Sequence, residues 1–264
     1  MSETLNTIIL GIVEGITEFL PISSTGHLLI AEQFLGARSD LFNVAIQSGA
    51  ILAIVVLYQR RLTELLLHTR KPENRDYLIK LTVSVLITLV LGFVATQLGF
   101  KLPATVLPIA IATLVGGVAI LVIEGYVADK PKSDELTWSV AIWVAIGQII
   151  AGLLPGTSRS GATIFAAMLA GMTLRPAATE FAFIVGIPTM FAATAYELLK
   201  ARHEVGGADW TGLVLGFVVS GVVAFVVVKW LLRYVQSHRF TVFAWYRIVL
   251  GIALLWMFHA GIVR

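Results

Sequence analysis

Two short stretches decide how this chain folds, Leu20-Pro21-Ile22-Ser23-Ser24-Thr25-Gly26-His27 and Leu154-Pro155-Gly156-Thr157-Ser158-Arg159-Ser160-Gly161. Each one interrupts an apolar segment with Leu-Pro, followed by hydroxyl side chains and a glycine. They lie about 135 residues apart in a chain of 264 residues, which indicates an internal duplication. Inside a bilayer, irregular backbone is tolerated only where it is buried in protein or lines a wet cavity. A pair of such breaks therefore predicts the functional centre.

The composition predicts an integral membrane protein of the all-α polytopic class. Hydrophobic residues make up 58% of the chain and charged residues only 13%, and the mean hydropathy is +0.89. A spanning helix needs roughly 20 mostly apolar residues. Seven stretches are long enough to cross the membrane or nearly so: 42–58, 78–97, 104–126, 137–153, 179–200, 210–232 and 241–260. The chain has no cysteine, so any metal would bind oxygen or nitrogen ligands.

The basic residues predict the orientation in the membrane. The 59–77 loop is the most basic, which places it in the cytoplasm by the positive-inside rule. If successive loops alternate between the two sides of the membrane, about ten basic residues lie inside and about five outside. The inside loops are 59–77, 129–136, 173–178 and 233–240, and the outside loops are 37–41, 98–103 and 200–209. This topology accounts for the net charge of +3 without a nucleic-acid partner.

The broken segments 6–36 and 137–173 are predicted to be re-entrant helical hairpins. The first would enter and leave from outside and the second from inside, each followed by three spanning helices. The prediction is thus one membrane domain, 1–264, with about six spanning helices and inverted repeats at approximately 1–127 and 137–264. The alternative is that both segments are complete spans with proline kinks.

Two carboxylates mark the helix before the first break. Glu14 and Glu18 are four residues apart and share one helix face, roughly with Gly11 and Gly15. An ionisable group at membrane depth costs at least about 2.5 kcal/mol, so the pair predicts a shared cation or proton. We expect the glycines to allow close helix packing.

The first break supplies a nucleophile and a base. Ser23, Ser24, Thr25 and His27 place three hydroxyls and an imidazole within reach of Glu18. A helix cap and a structural histidine are the alternative interpretation.

The second break supplies positive charge. Arg159 stands among the hydroxyls of Ser158, Ser160 and Thr163 at a helix start, which predicts an anion-binding site. Neutralisation of Glu14 or Glu18 by Arg159 is a second interpretation, compatible with the first.

Aligned on the prolines, the second half has Gln148 and Gly152 at the positions of Glu14 and Glu18, and Arg159 at the position of Thr25. One half therefore carries the acids and the other binds the anion, in a site assembled where the two breaks meet near the midplane. Gln47 and Arg247 are weaker candidates on neighbouring spans.

The stretch from Glu14 to His27, together with that from Pro155 to Gly161, resembles bacterial undecaprenyl-diphosphate phosphatases, the bacitracin-resistance family. The resemblance covers essentially the whole chain. It implies an enzyme of the inner membrane that hydrolyses undecaprenyl diphosphate to the monophosphate, recycling the lipid carrier of peptidoglycan and other envelope polymers. It also implies a site open to the periplasm and a divalent cation, Mg or Ca.

From the residues and this resemblance together we assign the site. The catalytic candidates are Glu14, Glu18, Ser24 and His27, with Glu14 and Glu18 also as metal ligands. The candidates for binding the diphosphate are Ser23, Thr25, Gln47, Ser158, Arg159, Ser160, Thr163 and Arg247. The attacking group is Ser24 activated by His27, His27 itself, or water oriented by Glu18 with His27 as the proton carrier. We favour His27 as the base or proton donor and Ser24 as the covalent candidate.

Two other functions compete with hydrolysis. Broken helices in inverted repeats are also the architecture of secondary transporters, of which a polyprenyl-lipid flippase is the closest variant. The expected partners are undecaprenyl diphosphate and membrane lipid, and a homodimer is left open.

Overall fold

The computed structural model describes residues 2–100, 105–200 and 209–263. Within these ranges the chain forms α-helices and no β-strand. The helices are α1 Glu3–Thr17, α2 Ser24–Leu35, α3 Asp40–Leu57, α4 Gln59–Leu67, α5 Pro72–Gln97, α6 Val106–Ala128, α7 Trp138–Leu153, α8 Arg159–Leu169, α9 Arg175–Lys200, α10 Trp210–Tyr234 and α11 Thr241–His259.

Six of these helices are long and apolar enough to cross a membrane, namely α3, α5, α6, α9, α10 and α11. Helix α7 is apolar but has only 16 residues. The all-α polytopic fold and the number of spanning helices are thus confirmed. Three basic residues used to predict orientation, Lys101, Arg202 and Arg264, lie outside the described residues.

The predicted 59–77 loop is wrong in part, because it contains helix α4 and the first turns of α5. Leu65 of α4 is buried, so this short polar helix still packs one apolar side chain against the protein. Helix α5 begins at Pro72, which is favoured in a first helical turn because it lacks an N–H. Helix α4 and the first turns of α5 lie in a stretch that is too polar for a hydropathy criterion to detect.

Each broken segment forms a pair of helices that begins and ends at the same place. In the first pair, Arg38 Nη1 lies 3.1 Å from Glu3 Oε1, and Asn6 Nδ2 donates to the Leu35 carbonyl at 2.9 Å. In the second pair, the Leu174 N–H donates to the Ser133 carbonyl at 2.9 Å. Neither segment is therefore a single kinked helix. The re-entry of both hairpins into the bilayer stays a prediction.

Small residues bring α1, α3 and α10 into close contact, as predicted for the glycines of α1. A Cβ added at Gly15 would lie 2.7 Å from the Ser220 carbonyl oxygen, and one at Gly11 would lie 3.0 Å from that of Gly216. On α3, a Cβ at Gly49 would overlap the Phe217 carbonyl. These contacts hold α1, and with it the two glutamates, against the spanning helices.

We expect Gly49→Ala to destabilise the fold by about 1–3 kcal/mol, because the new methyl group has no space beside Phe217. Gly125→Ala on α6 is the matched control, since nothing lies within 4 Å of a Cβ there. Thermal unfolding in detergent measures both. Equal unfolding midpoints for the two variants would contradict the close packing of α3 on α10.

Candidate active site

The tips of the two hairpins touch each other. Ser160 Oγ donates to the Leu20 carbonyl at 3.0 Å, and the Ser158 and Ser160 hydroxyls are 3.1 Å apart. Arg159 forms an ion pair with Glu18 across the same junction. Both predicted breaks therefore lie at one place.

Helices α2 and α8 begin with the same local geometry. Their N-cap residues, Ser23 and Ser158, have φ angles of 76° and 69°, and are the only residues other than glycine with positive φ in the described parts of the chain. Each hydroxyl accepts a hydrogen bond from the N–H three residues on, that of Gly26 at 3.4 Å or Gly161 at 3.2 Å. Two strained residues at equivalent positions are typical of a functional site.

This equivalence corrects the alignment made on the prolines. The second break has one more residue between its proline and its N-cap. Because Ser158 corresponds to Ser23, Arg159 corresponds to Ser24 rather than to Thr25. The guanidinium and the Ser24 hydroxyl are thus the two first-turn side chains of paired helices, and both partner the same carboxylate.

Glu18 lies at the centre of the site and is only 7% exposed. Its Oε2 accepts a hydrogen bond of 2.6 Å from Ser24 Oγ, and its Oε1 binds Arg159. Glu14 is 2% exposed and contacts Glu18, while its own Oε2 has no hydrogen-bond partner within the described ranges. Arg159 neutralises one of these two buried carboxylates, so the remaining negative charge favours a proton or a cation.

A cavity of about 480 Å³ opens beside this junction. Seven of the predicted site residues line it: Glu18, Ser23, Ser24, Thr25, Gln47, Ser158 and Arg159. Five do not: Glu14, His27, Ser160, Thr163 and Arg247. Of these five, Glu14 lies directly behind Glu18, and Ser160 joins the two tips.

His27 does not pair with Ser24. Its Nδ1 donates to the Ser23 carbonyl at 2.7 Å, so its Nε2 accepts from the Tyr246 hydroxyl at 2.6 Å. The Ser24 hydroxyl is paired with Glu18 instead. The predicted activation of Ser24 by His27 is therefore not the arrangement found, and the partner Tyr246 was not predicted.

Thr163 is buried within α8, where its hydroxyl donates to the Arg159 and Ser160 carbonyls of its own helix. A threonine hydroxyl in a helix interior commonly binds the preceding turn in this way. The geometry gives it no access to a ligand in the cavity, contrary to its predicted role.

Arg247 is 1% exposed, and all five of its N–H donors bind main-chain carbonyls. The acceptors belong to the first break, the second break and α6: Pro21, Gly156, Thr157, Ala112 and Thr113, at 3.0–3.2 Å. A side chain at Gly116 would overlap the guanidinium. Since no donor remains for a phosphate, Arg247 is a clamp between the two breaks rather than the diphosphate ligand that was predicted.

Five polar residues that line the cavity were missed by the sequence analysis, and three of them bind one another: Thr88, Gln148 and Thr189, with Thr96 and Tyr196 as the other two. Gln148 Nε2 donates to Thr88 Oγ1 at 3.0 Å, and Thr189 Oγ1 donates to Gln148 Oε1 at 2.7 Å. All three line the cavity, from α7, α5 and α9. The available signal was a glutamine at membrane depth in the position matching Glu14.

We expect Arg247→Lys to destabilise the protein by about 3 kcal/mol, because an ammonium group has three donors and loses at least two of these charged hydrogen bonds. Arg233→Lys, at an exposed position on α10, is the control. Thermal unfolding in detergent is the measurement. If both variants unfold at the wild-type temperature, the five-carbonyl clamp does not hold the breaks together.

The chain resembles known proteins over nearly its whole length. A family model described as bacitracin resistance protein BacA matches residues 7–253. A Rhizobium johnstonii protein named undecaprenyl-diphosphatase is 60% identical over 261 residues, and a Xanthomonas oryzae pv. oryzae protein of the same name is 53% identical over 257. The alignments cover 98% and 97% of both chains, respectively. This chain therefore belongs to the bacitracin resistance protein BacA family.

Proposed function

We propose that this protein is a membrane phosphatase that hydrolyses undecaprenyl diphosphate to undecaprenyl phosphate and phosphate. The observation that carries the proposal is the Ser24–Glu18–Arg159 constellation at the meeting point of two helix starts. The names of the relatives support the substrate. The proposed location is the bacterial inner membrane, where the activity would recycle the lipid carrier of envelope polymers.

The electrostatics of the junction suit a diphosphate. Helix starts carry partial positive charge and free N–H groups, and those of α2 and α8 both contribute residues to the cavity wall. Arg159 adds a full charge, and its side chain is 26% exposed, so a ligand can reach it. Phosphoryl transfer depends mainly on such positioned positive charge.

Glu18 is the proposed proton acceptor. Ser24 already donates its hydroxyl hydrogen to Glu18. In the covalent route, Ser24 Oγ bonds to the terminal phosphorus while its proton passes to Glu18, and the bond to the bridging oxygen breaks to release undecaprenyl phosphate. Water then hydrolyses the phosphoserine. In the direct route, water bound beside Glu18 attacks the same phosphorus.

Glu14 and Glu18 suit a divalent cation, because the unpartnered Glu14 oxygen and the neighbouring Glu18 carboxylate are hard oxygen donors. The described residues contain no group of three or more candidate ligand side chains. Mg is commonly bound through one or two carboxylates together with substrate phosphates, so Glu14 and Glu18 would suffice as its protein ligands. When bound, it would offset the charge of the diphosphate.

The orientation of the cavity supports a periplasmic opening. Along α5 its lining runs from Thr88 to Thr96, and along α9 from Thr189 to Tyr196. Both helices end beside loops predicted to lie outside. The wall between these limits is apolar, with Leu89, Phe93 and Ile149, which suits the first isoprene units of the lipid.

We expect purified protein with Mg or Ca to release phosphate from undecaprenyl diphosphate, and EDTA to remove most of this activity. Glu18→Gln removes the proton acceptor and Arg159→Ala removes the guanidinium. Each should therefore reduce kcat about 100-fold or more. Arg159→Lys retains the charge but not the bidentate geometry, so it should fall between wild type and Arg159→Ala.

Glu64→Gln is the control for these variants, since Glu64 lies on α4 and does not line the cavity. It should retain wild-type activity. A wild-type protein that is folded yet inactive with both cations would refute the phosphatase proposal. In that case lipid transport in vesicles becomes the function to test.

The absence of native cysteine allows a direct test of orientation. Thr96→Cys, at the outer limit of the cavity, should react with a membrane-impermeant maleimide applied to spheroplasts. Thr69→Cys, in the exposed turn between α4 and α5, should react only after lysis. The reverse pattern would place the cavity mouth in the cytoplasm.

A further inference from the structure

The cavity that Arg159 and Glu18 line contains a second group of polar residues. Thr88, Gln148 and Thr189 reach it from three different helices and bind one another at 3.0 and 2.7 Å. Two of them, Gln148 and Thr189, are at most 6% exposed. The diphosphate site described above assigns them no role.

One donor of this cluster is unused. The Gln148 amide has two N–H groups, of which one binds Thr88 Oγ1. Its oxygen faces Thr189 Oγ1 at 2.7 Å, and the amide nitrogen lies on the Thr88 side because Thr88 uses its only hydrogen elsewhere and must accept from Gln148. Thr88 in turn donates to the Ser84 carbonyl. The second amide N–H has no partner among the described residues, although Gln148 borders the cavity.

The cluster lies at one end of the cavity wall formed by α5 and α9, away from the proposed periplasmic opening. Thr88 and Thr189 are the first residues of α5 and α9 that line it, and Thr96 and Tyr196 are the last. Between these limits lies the apolar wall suited to the lipid. Gln148 and Arg159 line the same cavity, so a diphosphate bound at Arg159 shares that space with the free N–H of the Gln148 amide.

We propose that Gln148, held by Thr88 and Thr189, binds the terminal phosphoryl group of the substrate and the inorganic phosphate that it becomes. This inference rests on the proposed phosphatase function. A neutral amide donor suits the position, because the released phosphate must leave once the bond is broken. A second guanidinium there would bind the product more tightly and slow its departure.

The competing explanation is that the three side chains only join α5, α7 and α9. Polar residues do contribute to helix association in membranes. That role requires the bonds within the cluster but predicts no effect on phosphate. The two explanations therefore differ in what a substitution does to phosphate binding once folding is intact.

The test measures inorganic phosphate binding to the purified full chain by phosphorus NMR, together with inhibition of undecaprenyl diphosphate hydrolysis by phosphate. Gln148→Leu should raise both the phosphate Kd and the inhibition constant about tenfold, since one hydrogen bond to a charged ligand is lost. Gln148→Glu should raise them further, because a carboxylate repels the anion. Ser84→Ala is the control, since Ser84 is a buried neighbour on α5 outside the cavity.

The outcomes separate this inference from the function on which it rests. Wild-type protein that binds phosphate but does not hydrolyse the lipid refutes the phosphatase proposal alone. Active wild-type protein whose phosphate constants are unchanged in folded Gln148→Leu refutes the role of Gln148. A lowered unfolding temperature with unchanged constants, or no phosphate binding by wild type up to millimolar concentration, refutes it as well.

Discussion

Main-chain polar groups at the centre of a bilayer must find partners within the protein, because lipid offers none. Both helix breaks are predicted to lie within the bilayer, and the fold satisfies main-chain groups of both by bringing the breaks together. Ser160 binds the Leu20 carbonyl, and Arg247 binds carbonyls of both breaks and of α6 at once. The need to satisfy backbone thus assembles side chains that are 141 positions apart, Glu18 and Arg159, into one site.

The chemistry of the site follows from the same contact. The positive N-termini of two helices and a guanidinium lie beside two glutamates. These opposite charges attract strongly because both glutamates are buried away from water. Glu18 is therefore bound on both sides, by Arg159 and by Ser24. A diphosphate that enters must compete with Glu18 for Arg159. Binding of the substrate would then free Glu18 to take up a proton at the moment when one is released.

The spanning helices and the importance of both breaks could be predicted from sequence, since hydropathy and the Leu-Pro interruptions are local properties. The direction of each side chain could not. His27 and Ser24 are close in sequence, yet they bond to different partners, Tyr246 and Glu18 respectively. Arg247 was predicted to bind the diphosphate, whereas its five carbonyl partners come from three segments that only the tertiary structure brings together. Gln148 was passed over because an uncharged amide gives a weaker signal than a buried carboxylate.

The clamp formed by Arg247 binds backbone and not side chains. Its acceptors are carbonyl oxygens, which every amino acid possesses, so the residues of the two breaks are free to differ without loosening it. The side chains of the two breaks can therefore diverge while the distance between the breaks stays constant. One break has acquired hydroxyls beside an acid, and the other a guanidinium. The fold thereby separates the residue that maintains the architecture from those on which selection for chemistry acts.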